Sequence, residues 1–303
     1  MSTAYIFPGQ GSQFVGMGRD ISSVRPVIRG YFDCANEVLG FSLSKLCWEG
    51  PELELGDTVN TQPAIFTHSV AMNAGVLMSG EYNAPDFVAG HSLGEFSALV
   101  VAGALGFEDG LRLVRTRGEL MKKAGTRAPG SMAAVLGLDT ATLNEICATA
   151  SANVAGSQVV VANDNCPGQI VISGDKEAVA TASTLAKTRG AKRVLPLNVS
   201  IASHSPLMAS VTDEFAALVA KMPIVTAKTA IVGNTTARPI THPDDIRAEL
   251  CAQLTSPVRW TESVQYMAEQ GVTQFIELGP KDVLSNLIKR TLSFEGLQTL
   301  AIG

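Results

Sequence analysis

The stretch "DFVAGHSLGEFSALV", residues 86–100, runs from a short apolar segment through two glycines into a longer uncharged run. It sets Ser92 between Gly90 and Gly94 in the pattern G-x-S-x-G. Glycine and serine are ordinary turn residues and so short a pattern recurs by chance, so the flanks have to decide. "DFVA" reads as a buried strand, and the residues from Gly94 or Glu95 onward read as a helix. A serine on a sharp strand-to-helix turn points its hydroxyl away from the backbone, and bulky residues two positions to either side would clash. The helix N-terminus adds unpaired N–H groups and a positive dipole end, which suit a developing oxyanion.

Outward from this turn, strands alternate with helices of ten or more residues, the pattern of an α/β layered domain with a mainly parallel sheet. "AYIFPGQGSQFVGMG", residues 4–18, is a strand over Ala4 to Phe7 ending in a glycine-rich loop. The loop has neither the G-x-G-x-x-G spacing nor the G-K-[ST] of a nucleotide site. It does offer backbone N–H groups and the amides of Gln10 and Gln13 at the C-terminal edge of a strand, where ligands of open α/β sheets sit. From Ser131 the order becomes strand "SMAAVLGL", helix "TATLNEICATA", strand "VVVAN", turn "DNCPG", strand "QIVISG", helix "KEAVATASTLAKTRG" and strand "KRVLPL". That βαββαβ order is ferredoxin-like. The expected organisation is a large α/β domain over 1–128 and 198–303 with the small subdomain, 129–197, inserted into it. The later part is expected to hold a helix from about Ser210 to Met222 and the strands "TAIVGN" and "TQFIEL".

With 303 residues, 46% of them hydrophobic and 17% charged, the chain suits a globular core. The N-terminus lacks a basic region and its apolar stretch breaks at Pro8, unlike a signal peptide, and the uncharged run 96–107 is too short to span a membrane. A cytoplasmic protein without membrane contact is expected. The five cysteines, Cys34, Cys47, Cys147, Cys166 and Cys251, are scattered without C-x-x-C spacing, so neither a disulfide framework nor a metal site is expected. A net charge of −5 argues against nucleic acid.

A serine nucleophile needs a base, and there are four histidines. His91 adjoins Ser92 and should project elsewhere, His68 lies on an apolar helical stretch, and His242 sits in a loop before a helix. His204, in "IASHSPLM", remains. The nearest acids, Asp213 and Glu214, fall in the next helix, so a dyad oriented by a carbonyl or an amide is expected rather than a triad. Arg117 is the other marked residue. In "FEDGLRLVRTRGELMKKAG", a 100° step puts Leu111, Leu113, Val114, Gly118, Leu120 and Met121 on one half of the helix, and Arg117 falls in its middle. A buried guanidinium needs a partner. The helix leaves open whether that is an internal carboxylate or a substrate carboxylate held bidentately.

"IFPGQGSQFVGMG" (6–18), "TQPAIFTHSVA" (61–71), "GHSLGEFSALVVAG" (90–103), "LRLVRTRGELM" (111–121), "ASHSPLM" (202–208), "QLTSPVRW" (253–260) and "ELGPKDVLSNLIKR" (277–290) together resemble, in order and from end to end, the malonyl-CoA:acyl carrier protein transacylases of fatty-acid synthesis. The resemblance implies a hydrolase-like α/β fold with a ferredoxin-like insertion. It also implies ping-pong transfer of malonyl from malonyl-CoA to acyl carrier protein, with no cofactor. Ser92 would be the nucleophile, His204 the base, Gln10 and Leu93 the oxyanion donors through their N–H groups, and Arg117 the carboxylate clamp. Gln253 would hold the histidine through its main-chain carbonyl. Leu93, after the serine, accords with malonyl, whereas "ASH" before Ser205 matches the methylmalonyl-type signature of polyketide relatives. A polyketide trans-acyltransferase, a malonate decarboxylase subunit and a serine hydrolase are the alternatives. Lys187, Arg189, Lys192 and Arg193, with Lys281, Lys289 and Arg290, are candidate contacts for an acidic carrier protein, or simply solvated helix ends.

Overall fold

The computed structural model describes residues 2–303. A six-stranded sheet runs β11 (Gln298–Ile302), β10 (Val272–Leu278), β1 (Ser2–Phe7), β2 (Phe87–Gly90), β7 (Ala230–Val232), β8 (Pro239–Ile240). All its pairings are parallel except β7 with β8. β1 lies at its middle and is buried on both faces from Thr3 to Phe7, which explains why "TAYIF" is continuously non-charged rather than alternating. The helix Thr58–Ser79 covers one face. Its N-terminus is capped by Asp57, whose carboxylate accepts from the Val59 N–H at 3.1 Å, and it is buried nearly all round. The helix Phe107–Arg127 is amphipathic and packs its apolar side on that core.

The second sheet runs β6 (Arg193–Pro196), β3 (Gly130–Leu136), β5 (Gln169–Asp175), β4 (Val159–Cys166), β9 (Val258–Arg259). Its first four strands are antiparallel neighbours in the ferredoxin-like order, with the helices Thr140–Asn153 and Lys176–Thr188 closing a core of their own. The fold is thus α/β, a mainly parallel sheet with a ferredoxin-like insertion.

Four details differ from the sequence reading. β4 continues through Asp164, Asn165 and Cys166, so the turn to β5 is only Pro167 and Gly168, and irregular register along β4 accommodates the extension. The fifth strand of the small sheet, β9, comes from outside the inserted segment and pairs in parallel as Asn163 with Val258 and Asp164 with Arg259. It covers an edge of β4 that would otherwise be unpaired. The helix expected from Ser210 to Met222 is a 3-10 turn, Pro206–Val211, followed by a shorter helix, Thr212–Val219. β8 and β11 were not anticipated.

Candidate active site

Ser92 sits on the turn between β2 and the helix Gly94–Val101 with φ +50°, in the left-handed region. Such strain costs about 1–3 kcal/mol and persists only where the surroundings impose it. Here they do. A Cβ on Gly90 would lie 1.9 Å from the Gly94 carbonyl carbon, and one on Gly94 would lie 1.9 Å from the Phe7 carbonyl oxygen. Asn234, just beyond β7, braces the turn from the side. Its Oδ1 accepts from the Ser92 N–H at 2.7 Å, and its Nδ2 donates to the Gly90 carbonyl at 2.7 Å.

His204 is carried by the loop that leaves the small sheet, also in the left-handed region at φ +56°, and is 3% exposed. Its Nε2 lies 2.8 Å from Ser92 Oγ, and its Nδ1 lies 2.9 Å from the Gln253 carbonyl and 3.1 Å from that of Ser256. Two carbonyls facing Nδ1 fix the proton there and leave the Nε2 lone pair for the serine. Burial and the nearby charge of Arg117 push the imidazole down to about 3, so it is neutral at physiological pH. The other histidines are accounted for. His91 turns to Asn165 Oδ1 at 2.7 Å and lies edge-on to Trp260, and His242 caps the helix Pro243–Gln253 by accepting from the Asp244 N–H. His68 is buried with neither ring nitrogen bonded.

Arg117, 1% exposed, reaches the same serine. Its Nη2 donates to Ser92 Oγ at 3.2 Å and to Gln253 Oε1 at 2.8 Å, its Nη1 donates to Gln62 Oε1 at 2.9 Å, and the guanidinium lies 5.3 Å from the centre of the Phe96 ring. No ion pair joins it to a carboxylate among the described residues; the groups that hold it are two side-chain amides and the serine hydroxyl, all neutral. Burial lowers its pKa to about 10, still far above 7.

Gln253, 0% exposed, links these groups. Its carbonyl holds His204, its Oε1 holds Arg117, and its Nε2 donates to the Ser92 carbonyl at 3.0 Å and to Glu95. Gln62, Glu95 and Asn234 were missed by sequence reasoning. Each lies in or beside a segment already quoted, yet the partners that place them at the site are distant in the chain: Arg117 for Gln62, Gln253 and Asn234 for Glu95, and the serine turn for Asn234. An acid at the first turn after the serine was the available signal for Glu95.

The glycine-rich loop lies directly against the turn, since a Cβ on Gly9 would be 2.5 Å from the His91 carbonyl oxygen. Gln10 is exposed, and its side chain is steered away by accepting from Thr58 Oγ at 2.9 Å. Among the described residues the main-chain N–H groups of Gln10 and Leu93 meet no protein acceptor, whereas that of Ser92 is taken by Asn234. The Leu93 side chain is buried in the large core. Both loops open on a cleft of about 1240 Å³ between the two sheets, lined also by Met132 and Asn163 of the small sheet and by Ile201. Lys281 stands beside the loop, donating to the Gln13 carbonyl at 3.2 Å, while Lys187, Arg189, Lys192 and Arg193 are exposed at the far end of the small subdomain's second helix and on β6. Among the described residues no cluster of His, Cys, Asp or Glu is placed to hold a metal, the cysteines are free, and no helix is long and apolar enough to cross a membrane.

The family model described as "Acyl transferase domain" matches residues 4–302. The malonyl CoA-acyl carrier protein transacylase of Bacillus subtilis is 45% identical over 299 residues, covering 99% of this chain and 92% of the relative. An acyl carrier protein S-malonyltransferase from Vibrio cholerae superposes with a TM-score of 0.94 at 42% identity, covering 100% and 97% of the two chains. A malonyl-transacylase solved with a type II polyketide acyl-carrier protein superposes with a TM-score of 0.94 at 40% identity, covering 100% and 96%. The chain belongs to the acyl transferase domain family and matches its malonyl CoA-acyl carrier protein transacylases over nearly their whole length.

Proposed function

We propose that this protein carries a malonyl group from malonyl-CoA to the phosphopantetheine thiol of an acyl carrier protein, by way of an ester on Ser92. The observation that carries this reading is that one hydroxyl is approached at 2.8 Å by a neutral imidazole and at 3.2 Å by a buried guanidinium. The first makes a nucleophile and the second selects an acyl group that ends in a carboxylate.

In the first half-reaction Ser92 Oγ attacks the thioester carbonyl carbon as its proton passes to His204 Nε2. The oxyanion that forms is met by the Gln10 and Leu93 N–H groups, which meet no acceptor among the described residues, while the Ser92 N–H is taken by Asn234. The C–S bond then breaks, and the CoA sulfur takes the proton from Nε2. In the second half-reaction the phosphopantetheine thiol gives its proton to Nε2, its sulfur attacks the serine ester, and the C–O bond breaks with return of the proton to Oγ. The imidazolium is stabilised by the Gln253 and Ser256 carbonyls, which do the work of the acid in a triad. Through both steps Arg117 holds the malonyl carboxylate. Serine and histidine supply nucleophile and base, so no cofactor is required. The cleft between the large domain (1–128, 198–303) and the inserted segment (129–197) admits both thioesters, and a cytoplasmic location suits the substrates.

Incubation with malonyl-CoA followed by peptide mass spectrometry should find one malonyl group on the peptide carrying Ser92, and Ser92→Ala should remove both label and turnover. An active enzyme that never carries the label would end the proposal. A polyketide role is the second reading, favoured by the likeness to the transacylase solved with a type II polyketide carrier. Comparing carrier-protein KM values for fatty-acid and polyketide carriers separates the two.

A further inference from the structure

Glu95 has no part in the mechanism above, yet it is 1% exposed and sits directly below the serine in the helix Gly94–Val101. Its two oxygens serve different segments. Oε1 accepts from the Asn234 main-chain N–H at 2.9 Å, and Oε2 accepts from Gln253 Nε2. The Gln253 side-chain amide therefore stands between a buried carboxyl and a buried guanidinium that share no ion pair. A primary amide can point either way, and in a site closed to water its neighbours decide. With Glu95 and the Ser92 carbonyl on one side, the NH2 faces them and the oxygen is left for Arg117. Turned over, the amide would set its NH2 against the guanidinium and its oxygen against two acceptors.

We propose that Glu95 is a positioning residue that fixes the direction of the Gln253 side-chain amide, and thereby the pose in which Arg117 meets the acyl carboxylate. Glu95 thus governs selectivity for carboxylated over neutral acyl groups without touching the substrate. Asn234 ties the same carboxyl to the turn that carries Ser92, so the acid keeps clamp and nucleophile in one register. The inference rests on the functional reading above, in which Arg117 reads the malonyl carboxylate.

The test compares rates of acyl-enzyme formation from malonyl-CoA and acetyl-CoA. In Glu95→Gln, a side chain that accepts from Asn234 turns its own NH2 toward Gln253 and favours the reversed amide. The malonyl-to-acetyl ratio should then fall by about tenfold or more through the malonyl KM, with acetyl loading within about threefold of the parent. Gln253→Leu, which keeps the carbonyl on His204, should lower the ratio likewise. The double variant should fall no further than Gln253→Leu alone, because the acid acts through the amide. Equal loss for both donors in Glu95→Gln, or ratio effects that add in the double variant, overturns the inference. If Glu95→Gln does not fold, Gln253→Leu decides, and an unchanged ratio there overturns it. Arg117→Ala separates the two levels of argument. A ratio that it leaves unmoved overturns the functional reading itself; a ratio moved by Arg117→Ala but not by Glu95→Gln overturns this inference alone.

Discussion

On its main-chain side Ser92 is held by steric exclusion: Gly90 and Gly94 lie so close to each other and to the Phe7 carbonyl that any side chain there would collide with backbone. Around it lies a polar network drawn from five separate segments: His204 and Arg117 reach its hydroxyl, Asn234 and Gln253 reach its main-chain N–H and carbonyl, and Gln62 holds Arg117. The first region is local and intolerant of added volume. The second is assembled at long range and intolerant of a lost partner. The nucleophile's position and the acyl group's selection are therefore set by separable means and should fail separately.

The largest effect is expected at the steric side. Gly94→Ala drives a Cβ to within 1.9 Å of the Phe7 carbonyl oxygen, at the crossing of the central strand and the helix. Backbone cannot yield there as a flexible side chain would, so the cost should exceed about 3 kcal/mol. Both malonyl and acetyl loading should vanish together, and the urea midpoint should drop sharply. Soluble protein with an unaltered midpoint would show that the turn is not pinned sterically.

This division also explains what could be read from the chain. The steric side was legible because its cause is written within five residues, and the apolar half-turn around Arg117 was legible because helical period is a local property. The identity of Arg117's partners was not. The sequence left an internal and a substrate carboxylate open, and the observed arrangement has an internal acid, Glu95, one amide removed from the guanidinium. That geometry depends on Gln253 folding back from a helix more than a hundred residues downstream, which no periodicity encodes. The same holds for β9, whose two residues complete the small sheet only because β4 has an edge to cover.

A middle effect is expected where the two regions meet. Asn234→Ala leaves the Ser92 N–H and the Gly90 carbonyl without their partner while adding no volume. Two buried groups lose a hydrogen bond, at about 2–3 kcal/mol in total. Because the freed Ser92 N–H sits beside the Leu93 N–H and the strained φ is no longer braced, kcat should fall for both donors alike, with the malonyl-to-acetyl ratio unchanged. A selective loss of malonyl loading would mean that Asn234 belongs with the carboxylate layer instead.

The smallest effect is expected at His68, the counterpart of His204 in burial and its opposite in wiring. His204 has both ring nitrogens engaged, whereas His68 has neither, and burial pushes His68 down to about 4. Below the ordinary histidine value of about 6.5 the unfolded chain takes up a proton at His68 that the folded chain refuses. Stability is therefore lost as pH falls from about 6.5 toward 4, and kept above that window. At pH 5 the loss from this one residue is about 2 kcal/mol. His68→Leu, close in volume and without a proton to gain, should remove that share, so urea melts at pH 7 and pH 5 should differ by about 2 kcal/mol less than in the parent. Malonyl loading at neutral pH should be unaffected, since no atom of His68 joins the network around Ser92. An unchanged pH dependence would mean that the buried ring takes up its proton within the folded protein.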